Sequence, residues 1–203
     1  GAEEQLSFYN YSRSLTLFLH PWYAAGTGYP ALTSLPRIPY FLLSEPLYKI
    51  GIPNVLLEAI TFFLLISAGM ISIYYLIKIT LFSELKDERQ KIVPFLAALF
   101  YFFNPFSMTQ IWGRGLSYQF FSFALVPSFL LFFVLSIQRK KIIFCLVAAL
   151  LSFFLSSAYL SPAVVITSWA GVIIYLIFIL YKARNNKKEI LFSLLSFTFL
   201  LLF

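Results

Sequence analysis

The chain has 203 residues, of which 61% are hydrophobic and 11% charged, and its formal net charge is +7. A water-soluble domain is about 45–50% apolar and about 25% charged, so this chain has more apolar surface than a soluble fold could bury. The composition excludes a soluble enzyme, a disordered tail and a secreted disulfide scaffold, and predicts an all-α, polytopic transmembrane helical bundle.

Residues 1–55 form a predicted external segment that holds six of the ten prolines. The spacing of apolar residues over 6–19 predicts an amphipathic helix that lies along the membrane interface. The stretch 24–39, rich in Gly and Pro, reads as an irregular loop. A second interfacial helix is expected near 40–48, because that stretch is too short and too interrupted by proline to cross a bilayer.

Six apolar runs after this segment predict membrane spans, because a spanning helix needs about 20 mostly apolar residues. Pro94 is expected in the first turn of the second span, and Asn104-Pro105 is expected to end or kink that helix. Pro127 predicts a kink in the third span. The predicted spans cover residues 56–81, 92–111, 119–137, 142–157, 162–181 and, cut short by the end of the sequence, 190–203.

The distribution of Lys and Arg predicts the orientation of these spans. Eleven of the fifteen basic residues lie in alternate connections, which the positive-inside rule assigns to the cytoplasm. The protein is therefore expected in the cell membrane as a multi-pass protein, with residues 1–55 and the turns 112–118 and 156–162 outside. The positive charge is explained by topology and by contact with membrane lipids, and no nucleic-acid partner is expected.

Short motifs along the chain add a family resemblance. They include Trp22-Tyr23, Gly51-Ile52-Pro53, the aromatic run from Ala97 to Phe106 and the segment Phe123 to Pro127. In this order they resemble the N-terminal region of GT-C class membrane glycosyltransferases, nearest the archaeal and actinobacterial arabinofuranosyltransferase-like branch. The resemblance covers most of the chain, so we expect a fragment that lacks the first helix and starts inside the first external loop.

The resemblance implies transfer of a sugar from a polyprenyl-phosphate donor to an external glycan or lipid acceptor. Members of this class carry a catalytic carboxylate, usually Asp, in the first external loop. The only aspartate here is Asp87, on the cytoplasmic side. Either Glu3 or Glu4 therefore replaces it, or the catalytic Asp precedes Gly1. No cofactor is certain, a divalent cation is allowed, and no metal-ligand cluster is predicted.

The candidate site consists of residues from the external segments. Glu3 and Glu4 are the candidate catalytic bases, because a carboxylate must take the proton of the acceptor hydroxyl. The candidate substrate-binding residues, which would contact the sugar or stabilise the leaving phosphate, are His20, Trp22, Tyr29, Arg37 and Arg114. The plainer alternatives are solvated loop charges for the carboxylates, and anchors at the lipid headgroups for the cations, His20 and the aromatic residues.

Two other classes of protein stay open from the sequence. A non-catalytic membrane scaffold or an inactive relative would keep the same topology without the chemistry. A transporter component is less favoured, because transporters usually keep ionisable groups near the bilayer midplane and the predicted spans have none there.

Overall fold

A computed structural model describes residues 22–23, 29–30, 38–82, 89–109, 117–155, 162–183 and 186–201. Apart from one short strand pair, these residues are helical, which confirms the all-α class for this part of the chain. We number the helices in chain order. They are α1 (Ile38–Lys49), α2 (Asn54–Leu81), α3 (Arg89–Phe103), α4 (Ser117–Arg139), α5 (Ile142–Phe154), α6 (Pro162–Lys182) and α7 (Lys187–Leu201).

Glycine and proline separate α1 from α2. Gly51 has a φ of 94°, a left-handed conformation that glycine adopts without strain, and its N–H donates to the carbonyl of Tyr48 over 2.9 Å. Pro53 directly precedes α2, where a missing N–H costs no helical hydrogen bond. The chain therefore turns sharply from the short α1 into the long α2.

Helix α4 is the centre of the bundle and packs on α2, α5, α6 and α7. Phe129 and Phe133 in its middle are fully buried. Side chains of α3 reach its first half, and α3 itself packs along α2. Gly69 of α2 lies beside Ala124 of α4, and Ser72 of α2 lies beside Ser128 of α4. Because the residue numbers increase in the same direction along both helices, α2 and α4 run parallel.

The boundaries of α3 differ from the predicted span 92–111. The helix begins at Arg89, because the polar residues before the apolar run join its first turn. Pro94 therefore lies in the second turn, and its expected placement in the first turn is wrong. The helix ends at Phe103, which confirms the break expected at Asn104-Pro105. A short helical turn, Pro105–Ser107, follows.

A strand pair corrects the irregular loop expected over 24–39. The first strand, β1 (Trp22–Tyr23), pairs antiparallel with β2 (Tyr29–Pro30). Aromatic residues favour strands, and an antiparallel pair needs only a short connection. The helix expected over 6–19 lies outside the described residues. The helix expected near 40–48 is α1, which tolerates Pro46 in its interior.

Large apolar side chains remain exposed on the helices around α4, namely α1, α2, α3, α5, α6 and α7. Examples are Phe63 of α2 (69% exposed), Phe100 of α3 (71%) and Ile174 of α6 (66%). Within the described residues, one helix, Val55–Leu81, is long and apolar enough by length and composition to cross a membrane. The six predicted spans therefore correspond to one such helix and to shorter apolar helices.

Candidate functional site

The bundle has two ends, which can be told apart by the direction in which its helices run. The parallel helices α2, α4 and α6 end on the side where Arg139 and Lys182 lie, and both of these side chains are exposed. The opposite end is formed by α1, the start of α2 and the end of α3. Arg37 directly precedes α1 in the chain, and Arg114 lies in the connection from the end of α3 to α4.

Asn104 closes the end of α3 with both of its side-chain polar atoms. Its Nδ2 donates to the carbonyls of Phe100 and Tyr101 over 3.0 and 2.8 Å, and its Oδ1 accepts from the N–H of Ser107 over 3.0 Å. The Ser107 hydroxyl also donates to the Tyr101 carbonyl over 2.8 Å. This agrees with the prediction that Asn104 breaks a helix. Its Nδ2 and Oδ1 atoms cap the end of α3 and the following turn.

Tyr101 joins the end of α3 to the proline-containing part of α4. Its hydroxyl donates to the carbonyl of Phe123 over 3.1 Å, and its ring stacks on the Phe123 ring with centroids 4.2 Å apart. In an uninterrupted helix that carbonyl would accept from the N–H of residue 127, but Pro127 has none. Tyr101 thus supplies from another helix a donor that α4 lacks.

Gly69 of α2 lies where α2, α3 and α4 meet. A Cβ atom at this position would lie 2.5 Å from Cζ of Phe102 and 2.9 Å from the carbonyl oxygen of Ala124. Only a residue without a side chain allows this approach, so the glycine permits α3 to pack beside the start of α4.

Glu45 on α1 is a carboxylate that the sequence analysis did not select. Its side chain is 14% exposed, and its Oε1 lies 2.8 Å from Nζ of Lys49, which is 65% exposed. The i,i+4 spacing of Glu and Lys was the sequence signal for this pair.

The structure describes few of the predicted site residues. Glu3, Glu4, His20, Arg37 and Arg114 lie outside the described residues. Trp22 and Tyr29 lie in β1 and β2, where Trp22 pairs with Pro30 and Tyr29 pairs with Tyr23. Trp22 and Tyr29 therefore lie on adjacent strands, one register position apart. Their assignment to substrate binding stays a prediction.

Metal binding finds no support in the described part of the chain, where no three His, Cys, Asp or Glu residues form a group that could hold an ion. The single cysteine, Cys145, is buried between α5 and α7, and its thiol donates to the Ser196 carbonyl over 3.3 Å. No family model matches the chain, and no curated protein or solved structure shows significant similarity to it.

Proposed function

We propose that the chain is the membrane-embedded part of a lipid-linked sugar transferase, held in the bilayer by several helices. The observation that carries the membrane assignment is the exposed apolar surface on the helices around the central α4, namely α1, α2, α3, α5, α6 and α7. In water these exposed apolar side chains would drive aggregation, whereas in a bilayer they contact acyl chains at no cost. Charged side chains interrupt this surface near the helix ends at Lys78, Arg139 and Lys182.

The proposed orientation places the Lys-rich end of the bundle in the cytoplasm. Helix α1 then lies on the outer side, where its exposed residues Leu42 and Leu47, and Ile50 directly after it, suit an interfacial helix. Cysteines introduced at Lys49 and at Lys140, in a Cys145→Ala background, test this orientation. We expect a membrane-impermeant thiol reagent to label position 49 in intact cells, and position 140 only after lysis. Labelling of both before lysis would contradict the topology.

The sugar-transfer assignment is supported by the resemblance of the motifs and by the place of Arg37 and Arg114 in the chain, directly before α1 and between α3 and α4. In the proposed reaction, the carboxylate of Glu3 or Glu4 takes the proton of the acceptor hydroxyl as its oxygen attacks the anomeric carbon. Arg37, Arg114 and His20 stabilise the departing polyprenyl phosphate, and Trp22 and Tyr29 contact the sugar.

Transfer from a polyprenyl-phosphate sugar by membranes containing the full-length protein tests this assignment. Glu3→Gln and Glu4→Gln are examined singly and together, with Glu45→Gln as the matched control on the same external segment. Loss of one catalytic base is expected to lower the rate about 10²–10⁴-fold, while the control keeps it. Full activity in the double variant would exclude both carboxylates as the base. A protein that integrates normally but supports no transfer would favour the scaffold alternative.

A further inference from the structure

The turn between α4 and α5 concentrates positive charge at one corner of the bundle. Helix α4 ends at Arg139 and α5 begins at Ile142, so Lys140 and Lys141 are the whole connection. All three basic side chains are exposed, and no carboxylate within the described residues forms an ion pair with them. Three adjacent cations repel one another, which makes this corner attractive to an anion.

The backbone of this turn is also strained. Lys140 has a φ of 52°, a left-handed conformation that costs about 1–2 kcal/mol for a residue other than glycine. Glycine is the usual residue where a helix ends in this way. A lysine here adds a third cation to the corner at the expense of stability, which suggests that its charge has a use.

An apolar stripe runs along α5 away from this corner. The face of α5 turned to the bundle carries small residues, among them Cys145, Ala148 and Ser152. The opposite face carries large, exposed apolar residues, namely Ile142, Ile143, Leu146, Leu150 and Phe153. From end to end this stripe is about 17 Å long, close to the roughly 15 Å of one leaflet's hydrocarbon.

We propose that the α4–α5 corner binds an anionic phospholipid. Arg139, Lys140 and Lys141 hold its phosphate, and its acyl chain lies along the stripe from Ile142 to Phe153. A free phosphate or a nucleic acid would use the charge and leave the stripe uncovered, whereas a phospholipid matches both parts and the distance between them. This inference rests on the proposed membrane embedding and adds a specific lipid partner on the side away from the sugar-transfer site.

Lipid binding to the purified full-length protein, measured by native mass spectrometry with phosphatidylglycerol and phosphatidylcholine, tests the proposal. The wild-type protein is expected to prefer phosphatidylglycerol. The triple variant R139Q/K140Q/K141Q should bind it roughly 100-fold more weakly, since each cation near a lipid headgroup contributes about 1 kcal/mol. The control K182Q/K187Q/K188Q removes the same charge from the next basic turn and should keep the preference.

Further variants separate the two halves of the site. Lys140→Asn removes one cation while tolerating the left-handed backbone, so it folds and should weaken binding about fivefold. Ile143→Ser combined with Leu146→Ser should weaken binding through the stripe, and soluble glycerol phosphate should not compete. A triple variant that keeps its preference would overturn the proposal, as would competition by glycerol phosphate equal to that by the lipid.

Carbonate extraction of membranes distinguishes failure of this inference from failure of the membrane assignment. A protein that resists extraction but binds both lipids equally would overturn the lipid site alone. A protein that carbonate releases from the membrane would overturn the embedding, and the lipid site with it.

Discussion

The hydroxyl of Tyr101 donates to the carbonyl of Phe123, the oxygen that Pro127 leaves without its helical donor. The two residues lie on different helices, and their rings also stack. A side chain of α3 thereby accommodates the proline inside α4. The helical hydrogen bond that Pro127 cannot make is replaced by a contact between two packed helices. The first prediction concerns this link.

Replacing Tyr101 with Phe is expected to lower the free energy of unfolding by about 1–2 kcal/mol, because the carbonyl of Phe123 loses its donor in an apolar setting. In a Pro127→Ala background the restored N–H of residue 127 can donate to the same carbonyl, so the cost of the Tyr101 substitution should shrink. A double-mutant cycle of unfolding in mixed micelles measures this coupling. Equal costs in both backgrounds would show that Tyr101 does not compensate for the proline.

Gly69→Ala is expected to destabilise the bundle by about 1–3 kcal/mol, since the added methyl group would press on Phe102 and on the backbone of Ala124. Gly171→Ala is the matched control. Its Cβ would meet only the flexible end of the Leu130 side chain, at 3.1 Å. Both changes gain the same helix propensity, so the difference between their melting temperatures isolates the packing term. Equal melting temperatures would argue against the close three-helix contact.

Asn104→Ala removes the side chain that caps both the end of α3 and the following turn. We expect a loss of about 1–3 kcal/mol, because the Phe100 carbonyl and the Ser107 N–H lose their side-chain partner together and the Tyr101 carbonyl loses one of its two donors. Ser107→Ala should cost less, since the Tyr101 carbonyl keeps its bond from Asn104. Chemical denaturation of the two variants in detergent provides the comparison. A larger loss for Ser107→Ala would reverse the assigned roles.

Lys140→Gly is expected to stabilise the protein in detergent by about 1 kcal/mol, because glycine adopts the left-handed conformation without strain. Lys141→Gly should instead be neutral or destabilising, since Lys141 has an extended backbone with φ of −118°. Thermal unfolding without added anionic lipid measures both variants. Destabilisation by Lys140→Gly would mean that the turn is not strained in the isolated protein.

Helix order and helix breaks were predictable from local signals. The lysine-rich connections separate the apolar runs, and Asn104-Pro105 ends α3 where the sequence indicated. The uncharged run 142–181 is divided between α5 and α6, close to the predicted division. The start of α3 and the pairing of β1 with β2 were missed, because weak local preferences over two or three residues do not determine an element's boundary.

The candidate site was predictable only as a set of residue types in segments that the charge pattern predicts to be external. The side chains suited to the reaction are those of Glu3, Glu4, His20, Arg37 and Arg114. The chemistry of a side chain does not determine which other residues lie near it in the folded protein. Glu45 is the opposite case, since its pairing with Lys49 follows directly from the i,i+4 spacing of the two residues.

Apolar composition, charge asymmetry and helix breakers are properties of neighbouring residues, so the primary structure alone was enough to establish the helical class and the order of the helices. Contacts between residues distant in the chain settled the rest. The donor that replaces the missing N–H of Pro127 comes from Tyr101, on another helix, and Gly69 matters because of Phe102 and Ala124. Such relationships depend on how whole helices pack, which no short window of sequence encodes.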